Sequence, residues 1–289
     1  MPQKRHIFFL PFCHASLSSI GYTKKVIFFT ESFLIFVFVL IFGLLVGSFL
    51  NVVIVRFEKG ERVTGRSYCP SCKKTLSWYE LIPLLSYFFL LGRCRSCNKR
   101  ISFQYPIVEF FSGVLFLLLF LFKGFSFEFF FLLIFFSLLL IIAVYDVRTK
   151  IIPNAFVYLL IGLSLFSLFF NFSKVQFFIP SYMDMLSGPL FFIFFASFWY
   201  FSKGRAMGLG DGKLALALSW WLPFSLSITA VVISFWIGAS ISVLLLLFLR
   251  LVGERNTLTM KSEVPFAPFL ILGFILTFFF NLELLGLPF

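Results

Sequence analysis

The sequence predicts an all-α fold: a polytopic integral membrane protein of about eight transmembrane helices, interrupted by one small polar loop. Three observations carry this. Of the 289 residues, 61% are hydrophobic and only 12% charged, and the mean hydropathy is +1.03, a balance that ordinary soluble domains do not reach. The apolar residues fall in continuous runs of about 17–25, the length that crosses a hydrocarbon core roughly 30 Å thick. The charges collect between the runs. A β-barrel is excluded, because the runs are too long for barrel strands and do not alternate.

The runs lie at about 33–55, 106–123, 126–146, 153–171, 186–202, 210–224, 226–250 and 265–281. The run at 210–224 is short and follows glycines, which suits a helix tilted or sunk within the bundle. The 49 Phe read as lipid-facing and packing bulk rather than a stacking device. Residues 1–32 form an N-terminal extension whose apolar pieces are too short to span. Residues 33–55 form the first transmembrane helix, 56–105 the polar loop, and 106–289 the remaining membrane domain.

Orientation follows from lysine and arginine. The loop 56–105 carries ten of them and belongs on the cytoplasmic side. Arg148, Lys150, Lys203, Arg205, Lys213, Arg250, Arg255 and Lys261 then fall on the same side, and the outer loops after the first span keep only Lys123 and Lys174. The extension, with Lys4, Arg5, Lys24 and Lys25, is the one misfit. The net charge of +12 thus reads as a topology signal and a match to the anionic lipid bilayer, with no nucleic-acid partner.

The loop contains Cys69-Pro70-Ser71-Cys72 and Cys94-Arg95-Ser96-Cys97. Paired Cys-x-x-Cys knuckles bring four thiolates to tetrahedral reach, the ligand set of a structural zinc ion (Zn2+), so the loop reads as zinc-ribbon-like. Lys73, Lys74, Arg93, Arg95 and Lys99 offset the charge of four thiolates. A redox pair or four spare thiols is the competing use. A loop of 50 residues buries too little apolar surface to hold itself together, and a metal supplies what is missing. Four cysteines leave no open coordination position, so this ion would not be hydrolytic. Cys13 lies far away in the extension and is incidental.

For chemistry the chain offers little else. Its only histidines, His6 and His14, lie in the extension. No Ser-His-Asp set, no His-Glu-x-x-His zinc site and no Gly-x-Ser-x-Gly elbow is present. Of three aspartates, Asp184 reads as a turn or cap residue in an outer loop. Asp146 and Asp211 both stand where an apolar run meets water on the cytoplasmic side. Ionisable groups so close to lipid are costly to keep. Two carboxylates held together share one proton: the ionised member activates water, and the protonated member donates to the peptide carbonyl. Gly208 and Gly210 are expected to adopt positive φ and let backbone approach closely before Asp211. Pro153 ends helical continuation after Asp146 and opens the next helix. The structural alternatives are a salt bridge from Asp146 to Arg148 or Lys150, and an N-cap role for Asp211.

These residues carry a family resemblance. Gly47-Ser48-Phe49-Leu50-Asn51-Val52-Val53, the stretch LSWYELIPLLSY, Leu91-Gly92-Arg93-Cys94 and Tyr105-Pro106-Ile107-Val108-Glu109 resemble the first span and loop of bacterial prepilin peptidases. Asp146 with Ile152-Pro153-Asn154, Gly208-Leu209-Gly210-Asp211, and Val264-Pro265-Phe266-Ala267-Pro268-Phe269 resemble the family's later motifs. The likeness covers roughly residues 43–275. Ala267 stands where the family usually has glycine, and Gly212 replaces a bulkier residue; neither is read as touching a catalytic group.

The resemblance implies an aspartic membrane protease of the inner membrane. It would cut the basic leader from type IV prepilins or type II secretion pseudopilins, and would then methylate the new N-terminus with S-adenosyl-L-methionine. Gly92 and Arg93 are candidate contributors to the methyl-donor site, although no Gly-x-Gly-x-x-Gly unit is present. A basic leader meeting basic loops is opposed electrostatically. The local acids Glu58, Glu61, Glu80 and Glu109 are candidates to receive it, with the apolar pilin helix supplying most of the binding. The rival readings are a non-catalytic zinc-stabilised membrane scaffold, a presenilin-like intramembrane aspartyl protease with other substrates, and a transporter.

Overall fold

The computed structural model describes residues 21–172, 174–204, 207–251 and 265–284. The expectations for Cys13, His6, His14, Arg205, Arg255, Lys261 and Val264 lie outside these residues. The described elements are α1 (Gly21–Glu58), a 3-10 turn (Trp78–Leu81), α2 (Leu85–Phe89), α3 (Gln104–Lys123), α4 (Phe127–Thr149), α5 (Asn154–Phe169), a hairpin of β1 (Phe170–Asn171) and β2 (Gln176–Phe177), α6 (Tyr182–Ser202), α7 (Leu209–Trp221), α8 (Phe224–Leu251) and α9 (Ala267–Phe280).

Each of the eight apolar runs is a helix. Five of these helices are long and apolar enough to cross a membrane: α1 from Phe33, α3, α4, α6 and α8. α5 and α9 are shorter apolar helices. α7, with 13 residues, is roughly 20 Å long at 1.5 Å per residue, short of a hydrocarbon core. It is packed against α5 and α6, as its short run suggested. Two differences from the sequence reading have local causes. α1 begins at Gly21, upstream of its apolar run. The fourth run leaves the helix at Phe170, where Phe170 pairs with Phe177 and Asn171 with Gln176.

Helix ends follow local chemistry. Ser126 opens α4, its hydroxyl accepting from Phe129 N–H at 3.1 Å. Gly124, with φ of 59°, closes α3. Asp184 Oδ1 accepts from Phe224 N–H at 3.1 Å, so it caps α8 from the first turn of α6.

The core is built around α4. Phe135, Phe136, Leu132, Leu139 and Ile142 are fully buried and meet Phe274 of α9 and Leu214 of α7. The Phe135 ring lies 4.4 Å from Trp221 and 5.8 Å from Phe274. Other Phe, such as Phe38 and Phe130, are exposed on membrane-length helices, so the residue serves both packing and the lipid face.

α1 and α3 cross closely because Gly43 and Gly47 sit one turn apart on α1. A Cβ at Gly43 would come within 2.8 Å of Phe116 Cβ, and one at Gly47 within 2.8 Å of Glu109 Cα. Ser112 Oγ donates to Gly43 O at 2.8 Å across the crossing. Without a hydrophobic drive between helices in lipid, such close packing supplies the association. Gly47→Val is expected to destabilise the protein by about 1–3 kcal/mol, as overpacking does. Thermal unfolding in detergent checks this.

Candidate active site and metal centre

Asp146 is in the last turn of α4 and is 4% exposed; Asp211 is in the first turn of α7 and is 7% exposed. Asp146 Oδ2 accepts from Ala267 N–H, the first residue of α9, at 3.2 Å. Asp211 Oδ2 accepts from Gly208 N–H at 3.2 Å. The two carboxyls are close enough that the charge of Asp146 acts on Asp211. Among the described residues, Asp211 Oδ1 is the one buried side-chain oxygen without a hydrogen-bond partner. Such an atom is costly unless it takes up a proton, water or substrate.

The structural alternative for Asp146 is not observed. Arg148 turns away, its Nη2 lying 2.7 Å from Glu58 Oε2 and its Nη1 donating to Gln104 Oε1 at 2.5 Å. The N-cap alternative for Asp211 is not observed either: Gly208 is the N-cap of α7, and Asp211, third in the helix, bonds back to its N–H with one oxygen and leaves the other unused.

The glycines act differently from expectation. Gly208 has φ of −80° and ψ of 148° as the residue before α7, and Gly210 is helical, so neither uses positive φ. What Gly210 provides is proximity: a Cβ there would lie 2.9 Å from Ile152 Cβ. Pro153 caps α5 as an extended residue. Asn154 next to it accepts from Lys213 Nζ at 2.9 Å, with Tyr158 OH at 3.1 Å from the same nitrogen. The Ile-Pro-Asn turn is thereby clamped to the start of α7, and Asp146 and Asp211 arrive at one end of the bundle. One further departure from the reading matters. Ala267 does touch the site, through its backbone N–H. Gly212 faces α6, where a Cβ would meet Phe195 Cβ at 3.3 Å.

The two cysteine pairs fold alike. Cys69 N–H donates to Lys74 O and Cys94 N–H to Lys99 O, while Lys73 and Asn98 N–H return to Cys69 and Cys94 O. Lys73 and Asn98 take left-handed φ of 56° and 57°. The four sulfur atoms, from Cys69, Cys72, Cys94 and Cys97, lie within 4.8 Å of one another, and Cys69 Sγ and Cys97 Sγ are 3.9 Å apart. Together they could hold a metal ion. Backbone N–H groups of Cys97 and Ser96 aimed at Cys94 lower its thiol to about 6. Lys99 N–H pulls the Cys97 thiol down, but loss of solvent and the thiols of Cys94, Cys72 and Cys69 outweigh it and push it up to about 11.

Gly92 has φ of 65°, and a Cβ there would sit 2.9 Å from the Tyr87 ring. Arg93 bridges to Arg100 in the same knuckle. Both have the geometry of the knuckle turn, which does not by itself fit a methyl donor.

The four local acids are all engaged, one of them with an arginine. Glu58 pairs with Arg148, Glu61 Oε2 accepts from Tyr68 OH at 2.5 Å, and Glu80 accepts from Ser77 N–H at 2.8 Å. Glu109 is buried and accepts from Leu84 N–H at 2.8 Å. The sequence reading also missed Arg56. Its buried guanidinium donates to the carbonyls of Arg62, Val63, Thr64, Gly65 and Arg66, winding the start of the loop around the end of α1.

Residues 41–122 match the profile of the bacterial peptidase A24 N-terminal domain, and residues 133–243 that of the type IV leader peptidase family. A prepilin leader peptidase/N-methyltransferase of Myxococcus xanthus (strain DK1622) is 33% identical over 251 residues, covering 83% of this chain and 71% of the relative. One of Bacillus subtilis (strain 168) is 33% identical over 243 residues, covering 83% and 92%. One of Klebsiella pneumoniae is 35% identical over 198 residues, covering 64% and 84%. No solved structure matches significantly. The first profile spans the four cysteines and the second spans both buried aspartates; the chain belongs to the type IV leader peptidase family.

Proposed function

We propose that this chain is a multi-pass inner-membrane aspartic endopeptidase that removes the leader from type IV prepilins or type II secretion pseudopilins and N-methylates the product. Asp146 and Asp211 form the hydrolytic pair at the cytoplasmic face. The observation that carries this reading is the unpartnered Asp211 Oδ1, buried within electrostatic reach of Asp146.

The chemistry follows from the hydrogen bonds. Each carboxylate spends one oxygen on a backbone N–H, which fixes its orientation. The pair holds one proton between its members, because two adjacent buried charges repel. The ionised group takes a proton from water, and the protonated group supplies one to the scissile carbonyl oxygen. As the tetrahedral gem-diol collapses, the leaving amine collects the proton of one carboxyl while the other carboxylate takes the proton of a gem-diol hydroxyl, which restores the one-proton pair.

The cysteines fit zinc. Four metal–sulfur bonds of about 2.3 Å place tetrahedral sulfurs about 3.8 Å apart, and Cys69 and Cys97 are at 3.9 Å. Cys69, Cys72, Cys94 and Cys97 would hold the ion as a structural crosslink of the loop. S-adenosyl-L-methionine would supply the methyl group.

The test is to incubate the purified chain in detergent with a prepilin and S-adenosyl-L-methionine and follow both products by mass. Release of the intact leader, and a methyl increment on the mature N-terminus, are the expected results; an unchanged prepilin contradicts the reading. Gly210→Ala is expected to slow leader release by up to roughly a hundredfold with the fold retained, because pushing α7 away from Ile152 displaces one member of the pair. Single-turnover cleavage measures it.

A further inference from the structure

The segment between the two cysteine pairs turns apolar side chains outward. Phe88, Phe89 and Leu91 are 67%, 83% and 85% exposed, with Leu85 and Phe103 exposed beside them. Helix α2 has no buried residue. Contiguous apolar surface of this kind marks an interaction site.

Its place in the fold identifies the cover. Leu85 N–H donates to Pro83 O at 2.6 Å, which puts Leu84 at the centre of a γ-turn with φ of 60° and ψ of −52°. This positive-φ form is strained and needs support. The turn aims Leu84 N–H at Glu109 Oε2, 2.8 Å away. Glu109 is five residues inside α3, a helix of membrane length. At 1.5 Å per residue that is roughly 8 Å below the helix start, so the beginning of α2 is pinned at that level. The Tyr87 ring packs on Phe103 at 5.9 Å, beside the first turn of α3. Ile107, Phe110 and Phe111, exposed on α3, continue the same apolar surface along the span. The surrounding loop, residues 56–105, carries ten Lys and Arg against three Glu, a charge that suits anionic headgroups.

We infer that α2, with Leu91 and Phe103, is an interfacial anchor that seats the four-cysteine loop on the bilayer. The apolar side chains enter the acyl boundary, and the basic ones meet anionic phospholipid headgroups. Depth, continuity with the exposed face of α3 and charge all select lipid over a protein partner. The anchor fixes the height of the metal centre above the membrane, and it is independent of the peptidase reading.

The test places a benzophenone amino acid at Phe89 of the full chain, reconstituted in vesicles of phosphatidylethanolamine and phosphatidylglycerol. After irradiation, intact-mass measurement is expected to show a single-phospholipid adduct. Its yield should fall within about twofold of the same probe at Phe130, on the outer face of α4, and at least about tenfold above the probe at Val63 in the loop. Adding Glu109→Ala is expected to cut the Phe89 yield severalfold, while Glu109→Gln, which keeps an acceptor for Leu84 N–H, preserves it. A yield no higher than at Val63, a crosslink to a second copy of the chain, or transfer of the crosslink to an added prepilin would each overturn the inference.

Discussion

Asparagine at either Asp146 or Asp211 is expected to lower leader cleavage by roughly 10²–10⁴-fold without loss of fold. An amide keeps an oxygen for the N–H of Ala267 or Gly208, so both helix-terminus contacts survive. What it loses is the ability to hold or release the shared proton. Because the two residues act as one unit, the double variant is expected to lose little beyond either single one. Rates from mass-resolved leader release, with circular dichroism on the same samples, make the comparison. Variants that cleave at the parent rate would show that Asp146 and Asp211 are not the hydrolytic pair.

Removing the metal is the second large effect. Cys94→Ser is expected to abolish stoichiometric metal binding and to unfold the loop between α1 and α3. Structural zinc sites in small folds contribute on the order of 10 kcal/mol of apparent binding energy, more than a loop of 50 residues draws from burial alone. Cys94 is the informative position, because it is buried and its thiol already lies near 6. Elemental analysis should find one zinc per parent chain and none in the variant. Limited proteolysis should cut the variant between residues 60 and 103 while leaving α4 to α9 intact. Methylation is expected to fall before cleavage, since the aspartate pair rests on α4, α7 and α9. A parent protein without bound metal, or a variant that keeps it, contradicts the assignment.

The readable parts of this chain were those governed by local rules. In lipid every backbone polar group must bond within its own segment, so apolar runs read directly as helices, and all eight are helices. The cysteine knuckles were equally legible, because two residues of spacing within each pair constrain what the thiols can do. The positions of Asp146 and Asp211 stood out from composition, since an ionisable group at the edge of an apolar run is costly. What the sequence hid was long-range. Nothing local announces that Ala267 N–H reaches Asp146 across 121 residues, or that Lys213 clamps Asn154. Gly208 illustrates a further limit. Glycine permits positive φ but does not demand it; here the small residues serve proximity, with Gly210 against Ile152. The role of Glu109 was hidden in the same way, because its partner, Leu84 N–H, is exposed only by an unusual turn.

The most direct measurement is the dependence of single-turnover leader cleavage on pH, in the parent chain and in each Asp→Asn variant. One proton shared by two carboxyls requires a bell: the rate rises as the first proton leaves the pair and falls as the second follows. Each variant should lose that bell along with its activity. A parent profile with a single limb, or an unchanged bell in either variant, would show that water is activated by something other than Asp146 and Asp211 together.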